Sequence, residues 1–258
     1  MKISIVMPAY NEENRIGRTL EEYCRFFDNI KKNKEIDYEI LIVINGTTDN
    51  TEGIVKDYQK KYKEIKYLNF KQGGKGFAIV QGFKESLKGN SELIGFVDAD
   101  MATSPEDFYD LVKNIGKGDG IIASRWKKGS KTERDFGKII RSKGFNFLVR
   151  SLFLLPYEDT QCGAKIFRKK VVEKIISKIE SLEWAFDVDL LYLAKKNHFK
   201  IIEYPTIWHD KKGSKIVPML VPIKMASSVI RLRMIYSPFK FIVRLYNQLP
   251  KKIQMHNW

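Results

Sequence analysis

The amino-acid sequence predicts an α/β protein: a three-layer α/β/α sandwich with a mostly parallel central sheet, extended by C-terminal amphipathic helices. Short apolar runs bounded by polar turns are typical of buried strands, and they alternate here with segments of helical character. This alternation favours parallel strands with helices on both faces of the sheet. The chain has 258 residues, 43% of them hydrophobic, so one large core can be buried.

The first half of the chain supplies five strands and four helices. Each strand is a short apolar run followed by a polar turn that begins a helix. Pro105, for example, fits the first turn of a helix. We expect a charged loop at residues 31–37. The predicted strands are residues 2–7, 38–44, 65–69, 93–97 and 120–124. The predicted helices are one that ends near Phe27, residues 52–62, residues 76–88, and one that begins at Pro105.

The second half is more helical. Its predicted elements are a helix at residues 138–155, a strand at 164–167, helices at 169–179 and 186–196, and an edge strand at 200–204. From residue 216 onward the chain is helical, basic and punctuated by prolines. We therefore divide it into a domain of residues 1–215 and a basic amphipathic tail of residues 216–258.

The net charge of +15 is the outstanding bulk feature. It predicts an anionic partner, such as a nucleotide phosphate, an acidic lipid or a nucleic acid. The two cysteines, Cys24 and Cys162, argue against a disulfide framework and favour a reducing compartment. No signal peptide precedes the first strand, and no apolar run reaches the ~18 residues of a membrane-spanning helix. These features predict a cytoplasmic protein.

Asp98 and Asp100 follow the apolar run of residues 93–97, where that strand leaves the sheet. In open α/β sheets, ligands bind at the carboxyl ends of the strands. Mg²⁺ takes oxygen ligands, commonly one or two carboxylates plus substrate phosphates. The pair therefore predicts a metal site, although a D-x-D sequence alone is equally consistent with a polar turn that closes a strand.

Three polar loops are expected near these carboxylates. The loop from Pro8 to Glu12 and the turn that begins at Asn45 can cradle a nucleoside, with Tyr10 stacking on the base and Glu12 bonding to a ribose or base edge. The alternative is a pair of ordinary strand–helix turns in which Asn11 or Asn45 caps a helix. The glycine-rich stretch at residues 72–76, which contains Lys75, can hold a diphosphate. It lacks the spacing of a P-loop, and the alternative is a flexible turn.

A series of motifs runs in a fixed order through residues 2–236. It comprises Pro8-Ala9-Tyr10-Asn11-Glu12, Asn45-Gly46-Thr47-Thr48-Asp49, Gly74-Lys75-Gly76, Asp98-Ala99-Asp100, Ser124-Arg125, Asp159-Thr160-Gln161-Cys162-Gly163, Trp184-Ala185-Phe186-Asp187-Val188-Asp189 and Gly213-Ser214-Lys215. As an ordered set, the series resembles the inverting family-2 glycosyltransferases of GT-A fold. It is similar above all to the dolichyl-phosphate glucosyltransferases and, slightly less closely, to the dolichol-phosphate mannose synthases.

The resemblance implies transfer of a sugar from a nucleotide diphosphate to a polyprenyl phosphate. It implies that Asp100 binds Mg²⁺ or Mn²⁺ across the diphosphate with help from Asp98, so that the cation neutralises charge on the leaving nucleotide. Arginine suits phosphate because its fork donates two parallel hydrogen bonds. The candidate ligands of the donor or acceptor phosphates are Arg125, Arg141 and Lys215, which would otherwise be ordinary surface charges.

The acceptor phosphate is largely ionised near neutral pH, since its second pKa is about 6. We therefore expect catalysis by positioning and electrostatics, with Asp100, Arg125 and Asp187 as the central residues. Asp187 and Asp189 lie two positions apart at a predicted helix start and so point to different faces. We expect Asp187 to touch the sugar or acceptor and Asp189 to favour the helix N-terminus. Trp184 would pack on the sugar ring or in the core.

Two departures from the family pattern bear on the substrate. Ile44-Asn45 stands where many relatives have two aspartates that help to read the base. Asn45 offers both an acceptor and donors, so uracil and guanine stay open. Ala102 stands where mannose synthases often have a glutamine ligand, which is closer to the glucosyltransferase pattern.

Two C-terminal segments, residues 219–236 and 239–249, place apolar side chains along one helical side and basic ones largely elsewhere. Basic amphipathic helices often lie in the plane of an anionic membrane surface. The commoner alternative is a core-packing helix with a solvated charged face. We expect membrane contact, shared with residues 144–155, and hence a peripheral protein on the cytoplasmic face of the membrane.

The leading hypothesis is transfer of glucose from UDP-glucose to a polyprenyl (dolichyl) phosphate. GDP-mannose and UDP-N-acetylglucosamine stay open as donors, as does a transferase that extends a glycan and needs a general base. A nucleic-acid-binding module lacks a recognition motif, and a catalytically inactive nucleotide-sugar sensor is the last alternative. The sequence leaves the lipid length, the preferred metal and the oligomeric state undetermined.

Overall fold

The computed structural model describes residues 1–133, 136–209 and 220–248 of the chain. Nine strands form two sheets: β1 (Lys2–Ala9), β2 (Asp37–Asn45), β3 (Ile65–Phe70), β4 (Leu93–Val97), β5 (Gly120–Ser124), β6 (Lys131–Glu133), β7 (Ala164–Arg168), β8 (Ile201–Pro205) and β9 (Ile207–His209) among these described residues. The central sheet has seven strands in the order β3-β2-β1-β4-β7-β5-β8, and β6 pairs with β9 in a small second sheet.

The central sheet is mostly parallel, as predicted, and β8 lies at its edge, as predicted. Only β7 is reversed: it runs antiparallel to both β4 and β5, with Val97 opposite Ala164. The reversal was not predicted, because a short apolar run carries no signal of strand direction. The parallel β6–β9 pair was also missed, since three-residue strands are too short to show a period.

Helices cover both faces of the sheet. Those described are α1 (Ile16–Lys32), α2 (Thr51–Lys61), α3 (Lys75–Leu87), α4 (Pro105–Asn114), α5 (Phe136–Phe153), α6 (Lys169–Ile175), α7 (Phe186–Lys196), α8 (Leu220–Ile235) and α9 (Lys240–Gln248). Side chains of β1 alternate between two cores. Ile5 and Met7 pack with α1, α2 and α4, whereas Val6 packs with α3, α6 and α7. The predicted three-layer sandwich is confirmed.

Several element boundaries differ from the sequence prediction; β1, for example, ends at Ala9 and α5 spans Phe136–Phe153. The charged loop expected at residues 31–37 was wrong at both ends, because α1 extends to Lys32 and Asp37 already belongs to β2. Ile30 continues the buried face of α1 and so keeps the helix intact through its charged last turn. The helix predicted at residues 169–179 ends at Ile175 and continues as a short 3₁₀ turn, Ile176–Lys178.

The C-terminal helices present two kinds of apolar surface. Val229 and Leu232 of α8 are buried in the same core as α5 and α7. Ile223 and Ile230, on the same helix, are exposed. The predicted domain boundary after residue 215 lies outside the described residues. Among the helices that the structure describes, none combines the length and the apolar character needed to cross a membrane.

Candidate active site

A cavity of about 740 Å³ opens at the carboxyl ends of β1, β2 and β4. Its walls are the turns after these strands, the glycine-rich turn before α3 and the loop before α7. The lining residues are Pro8, Tyr10, Glu12, Asn45, Gly46, Lys71, Gly73, Gly74, Lys75, Asp98, Ala99, Asp100 and Trp184. The structure thus brings together the two predicted metal ligands and the residues predicted for the base, the ribose and the diphosphate, whereas the candidate phosphate ligands Arg125 and Arg141 are not among the lining residues.

Lys75 and Asp98 form an ion pair at this cavity, with the lysine Nζ 2.5 Å from a carboxylate oxygen. Burial raises the pKa of Asp98. Lys75 offsets part of that rise, while the neighbouring Asp100 and Asp187 carboxylates add to it. Burial also disfavours the charged form of Lys75, but Asp98 and Asp187 outweigh burial and raise the pKa of the ammonium group. The pair therefore lies in an excess of negative charge.

Hydrogen bonds fix the backbone of Asp98 and the carboxylate of Asp100 at the strand end. The Asp98 N–H donates to the Gly163 carbonyl at 3.1 Å. A Cβ on Gly163 would collide with the Asp98 carboxylate, so a larger residue at this position would displace that carboxylate. Asp100 accepts a 3.0 Å hydrogen bond from the Ala102 N–H, within a turn where Met101 has a φ of 60°.

The loops after β1 and β2 are joined by hydrogen bonds, which confirms that they are neighbours. The side-chain oxygen of Asn11, for example, accepts from the Thr48 N–H at 2.9 Å. The alternative in which Asn11 or Asn45 caps a helix was wrong, because α1 follows Arg15 and α2 follows Asn50.

Glu12 lines the cavity with its carboxylate held by Arg15, whose Nε and Nη2 donate two hydrogen bonds of 2.7 Å. Burial raises the pKa of Glu12. Arg15 offsets part of the rise, and the Asp100 and Asp98 carboxylates add to it. Glu12 therefore belongs to the same electrostatic cluster as the predicted metal ligands. Tyr10 is 58% exposed, so its ring is accessible for stacking.

Asn45 is buried at the end of β2, where its side chain bridges two backbone segments. With its amide nitrogen toward Ala9 and its oxygen toward Gly74, it donates to the Ala9 carbonyl and accepts from the Gly74 N–H, at 3.0 Å each. The amide thus holds the glycine-rich turn against β1. That Asn45 also reads the base stays a prediction.

The loop before α7 completes the cavity wall. The Leu182 carbonyl accepts a 2.9 Å hydrogen bond from the Phe77 N–H of α3. A Cβ on Gly76 would lie 2.6 Å from that carbonyl, so glycine permits the close approach of loop and helix. Trp184 is 41% exposed and lines the cavity. The alternative that it packs in the core was wrong, and its packing on a sugar stays a prediction.

Asp187 forms a buried ion pair with Lys165, a residue that sequence reasoning missed. The Lys165 Nζ lies 2.5 Å from an Asp187 oxygen and donates to the Cys162 carbonyl at 2.7 Å. Lys165 is fully buried, and a lysine inside an otherwise apolar strand was the available signal. Asp189 points elsewhere, toward the Glu180 N–H at 2.6 Å. The prediction that the two aspartates face different ways is confirmed.

Arg125 is a second buried cation with an internal partner. Its Nε and Nη2 donate to the two Asp159 carboxylate oxygens at 2.6 and 2.8 Å, and its guanidinium lies 5.1 Å from the Trp208 ring centre. Burial would raise the pKa of Asp159, but Arg125 outweighs it and holds that pKa below its usual value. Two N–H groups of the Arg125 guanidinium are therefore already hydrogen-bonded. That its other N–H groups bind a phosphate stays a prediction.

Two further predicted phosphate ligands are not placed at the cavity. Arg141 is exposed on α5 and is not among the lining residues. Lys215 lies outside the described residues, together with the rest of the motif at residues 213–215. Both assignments stay predictions.

The donor set at the strand end suits a hard divalent cation. Within residues 1–133, 136–209 and 220–248, no group of three or more His, Cys, Asp or Glu side chains is arranged to hold a metal ion. Asp98 and Asp100 nevertheless supply two carboxylates in an excess of negative charge. A cation here would complete its shell with water and diphosphate oxygens, as Mg²⁺ commonly does.

Sequence comparisons identify proteins that are similar to this chain. A family model described as "Glycosyl transferase family 2" matches residues 4–176. A dolichyl-phosphate beta-glucosyltransferase of Dictyostelium discoideum is 34% identical, over 91% of this chain and 74% of the relative. The Homo sapiens protein of the same name is 31% identical, over 91% of this chain and 76% of the relative.

Solved structures share the fold at low sequence identity. Glucosyl-3-phosphoglycerate synthase from Mycobacterium tuberculosis, solved with Mn²⁺, UDP and phosphoglyceric acid, matches with a TM-score of 0.67 at 17% identity, over 91% of this chain and 78% of that chain. Mannosyl-3-phosphoglycerate synthase from Rubrobacter xylanophilus matches with a TM-score of 0.62 at 14% identity, over 97% of this chain and 77% of that chain. These matches confirm the predicted GT-A type of sandwich.

Proposed function

Because the chain belongs to glycosyl transferase family 2, we propose that it transfers glucose, with inversion, from UDP-glucose to a polyprenyl (dolichyl) phosphate. The observation that carries the proposal is the shared cavity, in which an acidic strand end, a lysine at a helix start and two strand-end loops face one space. The names of the relatives supply the sugar and the lipid class.

We assign donor binding to residues that line the cavity. Tyr10 stacks on the base and Glu12 bonds to the ribose. Lys75 holds the diphosphate, together with backbone N–H groups at the start of α3 other than those of Gly74 and Phe77, which already bond to Asn45 and Leu182. In the structure Lys75 pairs with Asp98, so an incoming diphosphate offers that lysine a second anionic partner. Asn45 supports the turn from which Lys75 projects.

Asp100 and Asp98 are the proposed ligands of Mg²⁺ or Mn²⁺. When bound, such a cation neutralises charge on the leaving diphosphate. The excess of negative charge around Glu12, Asp98 and Asp100 supports this assignment. The Mycobacterium tuberculosis synthase of the same fold was solved with Mn²⁺.

The proposed acceptor needs no general base, because a phosphate monoester is already largely ionised near neutral pH. Asp187 pairs with Lys165 through one carboxylate oxygen, and we assign its other oxygen to the sugar or the acceptor. Arg125, Arg141 and Lys215 remain the proposed sources of positive charge for phosphates.

The exposed apolar side chains of α8 and α9 support a peripheral position on a membrane, where the lipid acceptor resides. Ile223, Ile230, Ile242 and Leu245 are exposed on these helices, and the chain carries a net charge of +15. Basic surfaces with apolar side chains bind anionic bilayers. The cytoplasmic face is the proposed side.

The test is an assay with Mn²⁺, polyprenyl phosphate and a panel of nucleotide sugars, read by mass spectrometry. We expect glucosyl lipid from UDP-glucose, little product from GDP-mannose or UDP-N-acetylglucosamine, and none with Asp100→Asn of intact fold. Product from GDP-mannose alone would favour the mannose-synthase alternative. Donor hydrolysis without glycolipid, or no turnover with any donor, would contradict the proposal.

A further inference from the structure

A second cavity, of about 540 Å³, lies between the end of α7 and the turn that joins α8 to α9. Its lining includes Lys196, Arg231 and Lys240, and the carboxylate of Glu180. It shares no lining residue with the cavity at the strand ends. The donor and metal assignments leave it without a role.

The charge of this second cavity is predominantly positive. The lining residues include three cationic ones, one from each of α7, α8 and α9, and one acidic one. Lys196 sits 5.6 Å from the centre of the Tyr236 ring, and Ser237 accepts a 3.1 Å hydrogen bond from the Phe239 N–H, which shapes the turn. Cations that converge on a concave site from several elements suit a phosphate group.

Exposed apolar side chains lie along the chain segment that bounds this cavity. Phe239, Phe241, Ile242 and Leu245 are each between 43% and 59% exposed, immediately after or within the turn and α9. Large exposed apolar groups beside a polar pocket mark an interaction site. Apolar side chains next to a cationic cleft match the two parts of a phospholipid, its acyl chains and its phosphate.

We propose that this cleft binds the phosphate of an anionic phospholipid headgroup, with the apolar side of α9 in the acyl-chain region, and so seats the protein on the bilayer. The inference rests on the proposed function, because a lipid-linked acceptor places the enzyme at a membrane. The ligand is a bilayer lipid and not the acceptor, since the cleft is separate from the cavity of Asp98 and Asp100.

The experiment measures binding to phosphatidylcholine vesicles with and without phosphatidylglycerol by flotation. The variant is Lys196→Glu/Lys240→Glu. The matched control is Lys32→Glu/Lys63→Glu, two exposed lysines on the side of the sheet that carries α1 and α2. Both variants change the net charge equally, and thermal melting checks that both fold.

We expect the cleft variant to lose affinity for phosphatidylglycerol vesicles about tenfold or more, because two of the three cations that line the proposed phosphate site are reversed. The control loses no more than about threefold, since it affects only diffuse attraction. Equal losses in the two variants would overturn the site. Inorganic phosphate that competes as strongly as the lipid would identify free phosphate as the occupant and overturn the lipid assignment.

A separate assay distinguishes failure of this inference from failure of the proposed function. Glucosyl transfer to polyprenyl phosphate dispersed in detergent needs no bilayer, so the cleft variant should match the wild type there. A wild type that turns over no donor in detergent would contradict the proposed function, whatever the vesicle result. A cleft variant that loses turnover in detergent would place the cleft in the catalytic machinery and overturn its assignment as a bilayer contact.

Discussion

The hydroxyl group of Tyr236 donates a 2.5 Å hydrogen bond to the Asp189 carboxylate, and this contact ties the end of α8 to α7. The second oxygen of Asp189 accepts from the backbone N–H groups of Glu180 and Ser181 at 2.6 and 2.8 Å. The same loop continues to Trp184 at the donor cavity. One buried carboxylate therefore joins the C-terminal helices to a wall of the proposed active site.

Tyr236→Phe should weaken this connection. It removes a hydrogen bond to a buried carboxylate, which we expect to lower the free energy of unfolding by about 1–3 kcal/mol. Because the loop that carries Trp184 is then less firmly held, KM for the donor should rise while kcat changes little. Urea unfolding and steady-state kinetics measure the two effects. An unchanged KM in a destabilised variant would limit the contact to a structural role.

The stability of the protein should depend on pH through Asp189. Burial raises the pKa of Asp189 from 3.8 to about 6, although hydrogen bonds from Tyr236, Ser181 and Glu180 oppose the rise. Between these values the folded chain holds more protons than the unfolded chain, so this group's contribution falls as pH rises from about 4 to 6, by up to about 3 kcal/mol.

Asp189→Asn isolates that contribution, because the other titrating groups are the same in both proteins. Unfolding free energies measured from pH 4 to 7 should show the variant gaining stability relative to the wild type as pH rises. A difference that stays constant across this range would show that Asp189 does not titrate there.

The Lys165–Asp187 pair should be costly to break on one side only. Asp187→Asn leaves the fully buried Lys165 ammonium without its carboxylate, and we expect a loss of about 3–5 kcal/mol in unfolding free energy. Lys165→Met/Asp187→Asn removes the orphaned charge and should recover most of that loss. Urea unfolding of both variants and the wild type provides the measurement. A double variant no more stable than Asp187→Asn would refute the pairing argument.

Much of the fold and of the donor cavity could be predicted from the sequence because the signals were local. Alternating apolar runs and polar turns marked the strands, and parallel strands bring their terminal turns to one edge. Asp98, Asp100 and Lys75 therefore line one cavity at the predicted edge of the sheet. The direction of β7 could not be predicted in this way, since it depends on which neighbours the strand finds in the folded sheet.

The parts of the site that the sequence did not predict are contacts between residues far apart in the chain. Lys165 meets Asp187 across 22 positions, and Arg125 meets Asp159 across 34. A sequence identifies each charged residue, but it does not show which oppositely charged residue pairs with it in the folded interior. The roles first assigned to Arg125 and Asp187 rested on motifs alone, and the structure adds an internal partner to each.

Gly163→Ala should separate the position of the Asp98 carboxylate from the stability of the fold. A Cβ at residue 163 would collide with that carboxylate, which must then leave its place beside Lys75. We expect loss of donor binding and a fall in kcat/KM of about 100-fold, the size typical of groups misplaced by about an ångström.

Gly144→Ala is the matched control, because its Cβ would meet nothing within 4 Å and alanine favours the helix by about 0.5–1 kcal/mol. Calorimetry with UDP-glucose and thermal melting distinguish the outcomes. Full donor affinity in Gly163→Ala would contradict the assignment of Asp98 to the donor and metal site.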